Sequence, residues 1–471
     1  MKIFYTFAAI ISAAAIMLTL AGCKAVGPDY EGVEWKDLRV DDLLNQEGAE
    51  ITADEITLWW RVFDDPVLTN LVESALMNNL KLADSLAQVR EARALLGVSR
   101  AGLLPVVDSA GSYSRYRNSD NAGLPADGDN YRAGFDASWE VDIFGRRRRS
   151  IEAARADFEA ACATYENVWV VVAAETANAY VAYQELCERL HVAESNLKLQ
   201  QDTLDILSSR MESGIGDDLA VEQARYNLEQ TRASVPEIRS GMKQVVNALA
   251  VLTGVMPGEF RMAVESPEKM LSVPVRTLTG IPASALRKRP DIRAAERRLA
   301  ARCASIGVAE ADLYPTFALN GSIGLESLSS SDFLDTDSRF YSWGPSVSWP
   351  IFHGGSIRAN IEIQKALHEQ AFISYELTVL DAVAELRNNL TAYVHEYERL
   401  ESLQKAAGAA RNAVDIAQDQ YSQGLSDFTN VLDAQRSLLK YEELVVISRA
   451  TIARNLIGVY KALGGGWRQL R

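Results

Sequence analysis

The sequence predicts a mainly α-helical protein made of two tandem structural repeats, each carrying a pair of membrane-length β-strands. Three observations lead there: residues recur at a fixed offset of 210, long stretches without Pro or Gly keep an apolar period near 3.5, and four Tyr/Ser/Gly/Val-rich segments interrupt them. The offset pairs Gly97-Val98 with Gly307-Val308, Leu103 and Pro105 with Leu313 and Pro315, and Trp139 with Trp349. It continues through Tyr183/Tyr393, Leu190/Leu400, Gly214/Gly424, Asp217/Asp427 and Gly254/Gly464. Residues 67–254 and 286–464 are thus two copies of one unit, joined by a connector at 255–285 that holds Pro257, Pro267, Pro274 and Pro282. An extension at 23–66 precedes them and a tail at 465–471 follows.

Residues 1–22 read as a signal peptide. Lys2 supplies a short positive region, Ile3 to Leu20 is apolar or small apart from Thr6, Ser12 and Thr19, and Leu20-Ala21-Gly22-Cys23 forms a lipobox. Cys23 is therefore the expected lipidation site, carrying diacylglycerol and an acyl chain. Cleavage removes Lys2 alone among charged side chains, so the net charge passes from -15 to -16.

Within each repeat the order is helix, strand, strand, long helix, turn, helix. Residues 67–102 have helical composition until Pro105 ends the pattern. Strands are expected at 106–117 and 130–143 in the first copy and at 316–327 and 340–352 in the second. Their lengths approach the roughly 9 to 11 residues that cross a bilayer as a tilted strand. Ser150 to Ser213 runs 64 residues without Pro or Gly, about 96 Å of helix at ~1.5 Å per residue. Its apolar positions, Val172, Thr176, Ala179, Tyr183, Leu186, Leu190, Ala193 and Leu197, alternate steps of 4 and 3, as do Val379 to Tyr421 in the second copy apart from one skipped step. Such spacing packs helices along their lengths. The longest strongly apolar run, Val168 to Ala174, is too short for a membrane helix, so any crossing is made by the strands. Four strands cannot close a barrel, and open edges in lipid leave backbone groups unpaired at several kcal/mol each, so copies must associate.

Composition excludes other classes. An excess of 63 acidic over 48 basic residues argues against a nucleic-acid surface. No GxSxG, HExxH, P-loop or dinucleotide fingerprint is present, and His191, His353, His368 and His395 are scattered, so neither an enzyme nor a metal site is expected. Gly464-Gly465-Gly466 reads as a helix stop.

Two local features invite attention. Arg146 to Arg149 follows a strand directly, where cations oppose the helix dipole; a solvated helix start and contact with phospholipid headgroups beside Trp139, Trp349 and Tyr131 are both open readings. Ser213 to Asp218 and Gln423 to Asp427 read as tight helical hairpins, with Gly stopping one helix and Ser or Asp capping the next.

The segments Cys23 to Tyr30, Trp59-Trp-Arg-Val-Phe-Asp-Asp-Pro66, Trp139-Glu-Val-Asp-Ile-Phe-Gly145, Leu286-Arg-Lys-Arg-Pro-Asp-Ile292, Leu432-Asp-Ala-Gln-Arg-Ser-Leu438 and Lys461-Ala-Leu-Gly-Gly-Gly-Trp467 together resemble the outer-membrane factor (TolC/OprM-like) family, in its NodT-type lipoprotein branch. The resemblance covers nearly the whole chain. It implies a homotrimer whose twelve strands form an outer-membrane β-barrel, continued by a long periplasmic α-helical barrel. It implies the passive exit duct of a tripartite efflux system, working with a periplasmic membrane-fusion adaptor and an inner-membrane transporter, RND-type above all. Gly214, Ile215, Gly424 and Leu425 would be the tips where adaptor hairpins dock. Asp433 matches a ring-forming acid of the periplasmic gate, Asn430 stands where TolC carries a second acid, and Tyr421 matches a latch tyrosine, so that closure here would rest on packing and on Tyr421, together with Asp217 or Asp218. The two halves of the TolC-type ionic latch fall on Ser426 and Ala220 and are missing. A type I protein-secretion channel and a lipid-anchored periplasmic scaffold without a pore are the alternatives; the four strands favour a channel.

Overall fold

The computed structural model describes residues 25–33, 56–119, 121, 127–262, 270, 271, 273 and 286–466. The signal peptide, the lipidation site Cys23 and the tail beyond residue 466 lie outside the described residues. The elements run in order α1 (Pro66–Asn78), α2 (Leu80–Ala101), β1 (Val106–Arg117), β2 (Asp127–Val141), α3 (Arg146–Glu212), α4 (Asp218–Leu252), α5 (Pro290–Ala311), β3 (Thr316–Ser327), β4 (Arg339–Ser348), α6 (Ser356–Ser422) and α7 (Phe428–Ala462). The repeat is written in their lengths: α2 and α5 have 22 residues each, α3 and α6 have 67, and α4 and α7 have 35. Among the described residues no helix is long and apolar enough to cross a membrane.

The chain divides into two compact units that cut across the repeats. One comprises the described parts of Met1–Val33, Gln88–Cys162 and Ala294–Glu376, and the other those of Glu34–Ala87, Ala163–Arg293 and Leu377–Arg471.

The first unit holds a single antiparallel sheet of order β1-β2-β3-β4. β1 and β3 have the expected bounds, whereas β2 begins and ends earlier than 130–143 and β4 stops at Ser348 rather than 352. Each early end has a cause. Asp142 leaves the ladder to cap α3, accepting from the backbone N–H of Arg147 and Arg148 at 3.0 Å each. Pro350, two residues past the end of β4, has no N–H to offer a ladder. The helix expected from Ser150 accordingly starts four residues sooner, at Arg146.

The second unit is built around Trp59, Trp60, Phe63, Leu68, Val72, Tyr180, Ile457 and Tyr460. The indole of Trp59 stacks on Tyr460 with centroids 5.8 Å apart. Asp65 caps α1 through Val67 N–H (2.7 Å) and Leu68 N–H (3.0 Å), its other oxygen accepts from Tyr180 Oη (3.0 Å), and Pro66 fills the first helical position. The helix expected across 67–102 breaks at Asn79, whose carboxamide oxygen caps α2 through Lys81 N–H and Leu82 N–H. Arg289, almost fully buried, donates to Ala462 O at the end of α7 and to Asp291 and Glu385, and Lys461 completes the network on Glu385. Burial raises the Glu385 carboxyl pKa, and the bonds from Lys461 and Arg289 more than offset this, leaving it below its ordinary value.

On α3 the predicted seam residues Val172, Thr176 and Tyr183 are buried, but so is a second stripe of Ala173, Ala177, Tyr180, Gln184 and Cys187. The helix therefore packs on two sides, which one heptad seam does not describe.

Candidate functional site

The sheet sorts its side chains by chemistry. Residues directly opposite one another share a face, so Val107, Ala137, Gly321 and Trp343 form one row, and Ser109, Phe135, Ile323 and Tyr341 the next on the same side. Trp139, Leu319 and Pro345 extend this face. It is apolar and uncovered, with Ile323 62% and Trp343 77% exposed. The opposite face reads Asp108, Asp136, Ser322, Ser342 in one row and Val106, Ser138, Asn320, Gly344 in another. Side-chain bonds knit it, with Ser322 Oγ 2.8 Å from Ser342 Oγ and Asn320 Nδ2 donating to Ser346 Oγ at 2.9 Å. Arg132 lies over the ring of Phe340 at 4.5 Å, and Asn130 donates to Glu326. An apolar face towards lipid and a polar face towards water is the pattern of a transmembrane β-barrel wall. At one end of the sheet Trp139 Nε1 donates to Leu103 O and Trp349 Nε1 to Leu313 O, both at 3.0 Å, so the repeat reproduces even this bond. Among the described residues β1 and β4 each pair on one side only, leaving two open edges.

Each arginine of the run Arg146 to Arg149 faces a carboxylate. Arg146 pairs with Asp312 (3.0 Å), Arg147 with Glu140, Arg148 with Asp142, and Arg149 with Asp29 and Glu152. The carboxylates neutralise the clash with the helix dipole that the sequence left unexplained.

In the second unit the two hairpin tips are built alike. At the end of α3, Gly214 N–H donates to Met211 O (2.9 Å) and Ile215 N–H to Arg210 O (3.1 Å), with Gly214 at φ 73°. At the end of α6, Gly424 N–H donates to Tyr421 O (3.0 Å) and Leu425 N–H to Gln420 O (2.9 Å), with Gly424 at φ 75°. Both are Schellman turns, which need the left-handed residue glycine supplies. Each turns one apolar side chain outward, Ile215 and Leu425 being equally exposed at 74%. Asp217 caps α4 through Leu219 N–H (3.0 Å), whereas the Asp427 side chain makes no cap bond on α7.

Behind the tips, Leu207, Ala220, Val221, Ala224, Ala417, Phe428, Val431 and Leu432 form a buried cluster with Tyr421 against it. The Tyr421 ring meets Phe428 edge-on at 5.5 Å and carries Arg210 over its face at 5.5 Å, and the Arg210 guanidinium also donates to Ser422 O. Tyr421 thus packs with Phe428 and Arg210, and Asp217 serves as a cap. Asn430 Nδ2 donates to Ser426 Oγ at 2.8 Å. Asp433, its side chain 69% exposed, has Arg436 at 4.0 Å, and Arg436 donates to Asn227 Oδ1 and Tyr226 Oη. Ala220 is buried in the tip cluster, where an ionised partner would have to be desolvated. The sequence reading missed Arg210, Phe428 and Arg436. Arg210 had one signal, a cation in the last turn of a helix, but the repeat offset places Gln420 opposite it and so gives no support.

A membrane-type sheet joined in one chain to repeated long helical hairpins is the architecture of an outer-membrane channel protein. The sequence model of the outer membrane efflux protein family matches residues 71–255 and 281–465, one match per repeat, and the chain belongs to that family. It is 30% identical over 467 residues to Nodulation protein T of Rhizobium leguminosarum bv. viciae, covering 97% of this chain and 93% of the relative. It is 29% identical over 459 residues to the cation efflux system protein CusC of Escherichia coli O6:H1, covering 96% and 98%. Among solved structures, the outer-membrane channel OprN superposes with a TM-score of 0.85 at 35% identity, covering 94% of this chain and 99% of that one. The protein is an outer-membrane efflux channel.

Proposed function

We propose that three copies close their sheets into a twelve-stranded barrel, and that this trimer is the passive exit duct of a tripartite efflux system. The observation that carries the reading is the pair of open edges on a sheet whose one face is apolar, an arrangement lipid does not tolerate in a single copy. Cys23 bears the lipid anchor, and no other cofactor is needed. A periplasmic membrane-fusion adaptor docks on the tips Gly214-Ile215 and Gly424-Leu425, where exposed apolar side chains on rigid turns offer a ready contact. Tyr421, Asn430 and Asp433 shape the periplasmic gate. An inner-membrane transporter, RND-type above all, supplies the driving force.

Cargo is chosen upstream. Relatives named for nodulation and for cation efflux resemble this chain at 30% and 29%, so overall likeness does not single out one cargo. The test is mass measurement in mild detergent together with single-channel recording in planar bilayers. A complex of about three chains of 51.8 kDa, less the signal and plus lipid, that conducts is expected. A monomer that conducts would refute the assembly, and a trimer that never conducts would favour the scaffold.

A further inference from the structure

The groove between each long helix and its successor is furnished differently in the two copies. In the second copy, Leu400 of α6 and Arg449 and Ile452 of α7 face Met270, Leu271 and Val273 of the connector. Leu271 N–H donates to Gln184 Oε1 (3.1 Å) and Tyr397 Oη to Val273 O (3.4 Å), which holds the connector in place. Beneath it Ile452 and Leu456 are each only 2% exposed. At the offset of 210, the matching positions in the first copy are Leu190 of α3 and Arg239, Met242 and Val246 of α4. Among the described residues these border an open cavity of about 600 Å³, with Tyr183, Leu190, Met242, Val246 and Phe260 as an apolar floor. Met242 and Val246 stay partly exposed. The rim is cationic. Lys243 and Asn247 stand where the second copy has Ala453 and Ile457, and Arg239 and Arg261 join Lys243 around the opening. Arg239 is paired with Glu194 at 3.1 Å. Among the described residues Lys243 and Arg261 face no carboxylate, and Arg261 donates only to Gly258 O, at 3.5 Å.

We propose that this cavity binds a small organic anion whose apolar body is about the size of two fused rings. Its volume falls within the roughly 300–1,000 Å³ typical of small-molecule sites, and an apolar floor with a few polar groups at the mouth is how such sites are built. Two aromatic residues and a methionine in the floor favour a flat ring body over a flexible chain. The rim sets the sign of the charge. An anionic head at the mouth meets Lys243 and Arg261, whereas a neutral body gains nothing from them and a cation is repelled. In the second copy the groove takes apolar connector residues beside Ala453 and Ile457; the change to Lys243 and Asn247 fits the first copy for a charged occupant instead. Bound there, the anion bridges α4 and the segment Gly258 to Arg261 that follows it.

The test is isothermal titration calorimetry of the full-length protein in mild non-ionic detergent, with naphthalene-2-sulfonate as the probe. Wild type should bind it saturably. Lys243→Gln combined with Arg261→Gln should weaken binding about tenfold, and naphthalene-2-methanol, the same body without the charge, should bind wild type and this double variant alike. Val246→Trp, which fills the floor, should abolish binding. Arg232→Gln, at an exposed ion pair with Glu229 on α4 away from the cavity, should leave it unchanged. Lys243 and Arg261 are both exposed, so the double variant decides the matter if Val246→Trp fails to fold. Absence of saturable binding to wild type, the result if a neighbouring chain covers the groove, overturns the proposal. Equal affinity of the double variant for naphthalene-2-sulfonate overturns it as well, and so does tighter binding of octanoate, an anion with a flexible chain.

Discussion

Tyr421→Ala should loosen the tie between the two hairpin tips of one protomer. The side chain gives up an edge-on contact with Phe428 and a guanidinium over its face. An aromatic pair contributes about 0.5–1.5 kcal/mol beyond its buried area, and an exposed cation–π contact about 0.5–1 kcal/mol. Phe428 stands on the same hairpin as Tyr421, so only the guanidinium contact crosses between the tips, and its loss, about 0.5–1 kcal/mol, shifts the equilibrium between joined and separated tips by roughly 2- to 5-fold at ~1.4 kcal/mol per decade. Single-channel recording reads this as a rise in the open fraction. Arg210→Gln removes only the guanidinium, and the double variant completes a cycle whose coupling should be roughly two- to five-fold. Full additivity of the two substitutions would refute the contact. An unchanged open fraction in Tyr421→Ala would show that the tips are not where the channel closes.

Asp433→Ala should lower cation selectivity and divalent-ion block in the same recordings, because three such carboxylates about 6 Å apart would repel by ~0.7 kcal/mol per pair even in water and so attract cations. Ser426→Ala, which loses only its bond from Asn430, should change neither. On the sheet, Ile323→Lys should deplete the assembled protein from the outer-membrane fraction, since a lysine facing mid-bilayer costs about 2–4 kcal/mol, whereas Ser322→Lys one residue away should be tolerated. Glu385→Gln should destabilise the helical unit by roughly 1–3 kcal/mol at neutral pH. Because the folded carboxyl titrates below its ordinary 4.5, that stabilisation is present above 4.5 and is lost as pH falls through the lowered folded value. Melting curves of wild type and variant should therefore converge in acid, and a gap that persists would assign the loss to packing.

The repeat was legible because its markers are backbone requirements. Gly214, Gly254, Gly424 and Gly464 all take positive φ at helix ends, and Trp139 and Trp349 both reach a carbonyl 36 residues earlier, so similar structure demanded similar residues. β1 and β3 were legible from composition and length. Their register was not, since it depends on pairing between β2 and β3 across almost two hundred residues of chain, and only that register separates Asp108 and Asp136 from Phe135 and Ile323. The break at Asn79 escaped because an Asn amid helical composition looks like a surface residue until its side chain caps the next helix. The tip contacts escaped for a related reason. Arg210 and Tyr421 stand on different helices, and nothing local to either announces the other.

The two unpaired edges of the sheet bear on how the protein behaves in a cell that makes two versions of it. If no copy can occupy the membrane until β1 and β4 have found partners on neighbouring chains, folding of the wall and assembly are one event. A chain altered on its lipid-facing rows then fails together with its companions. With sound and damaged copies made equally, roughly one trimer in eight would contain sound chains alone. Lesions in the sheet should therefore act dominantly, and lesions at the exposed tips, which leave closure intact, should permit mixed channels to form.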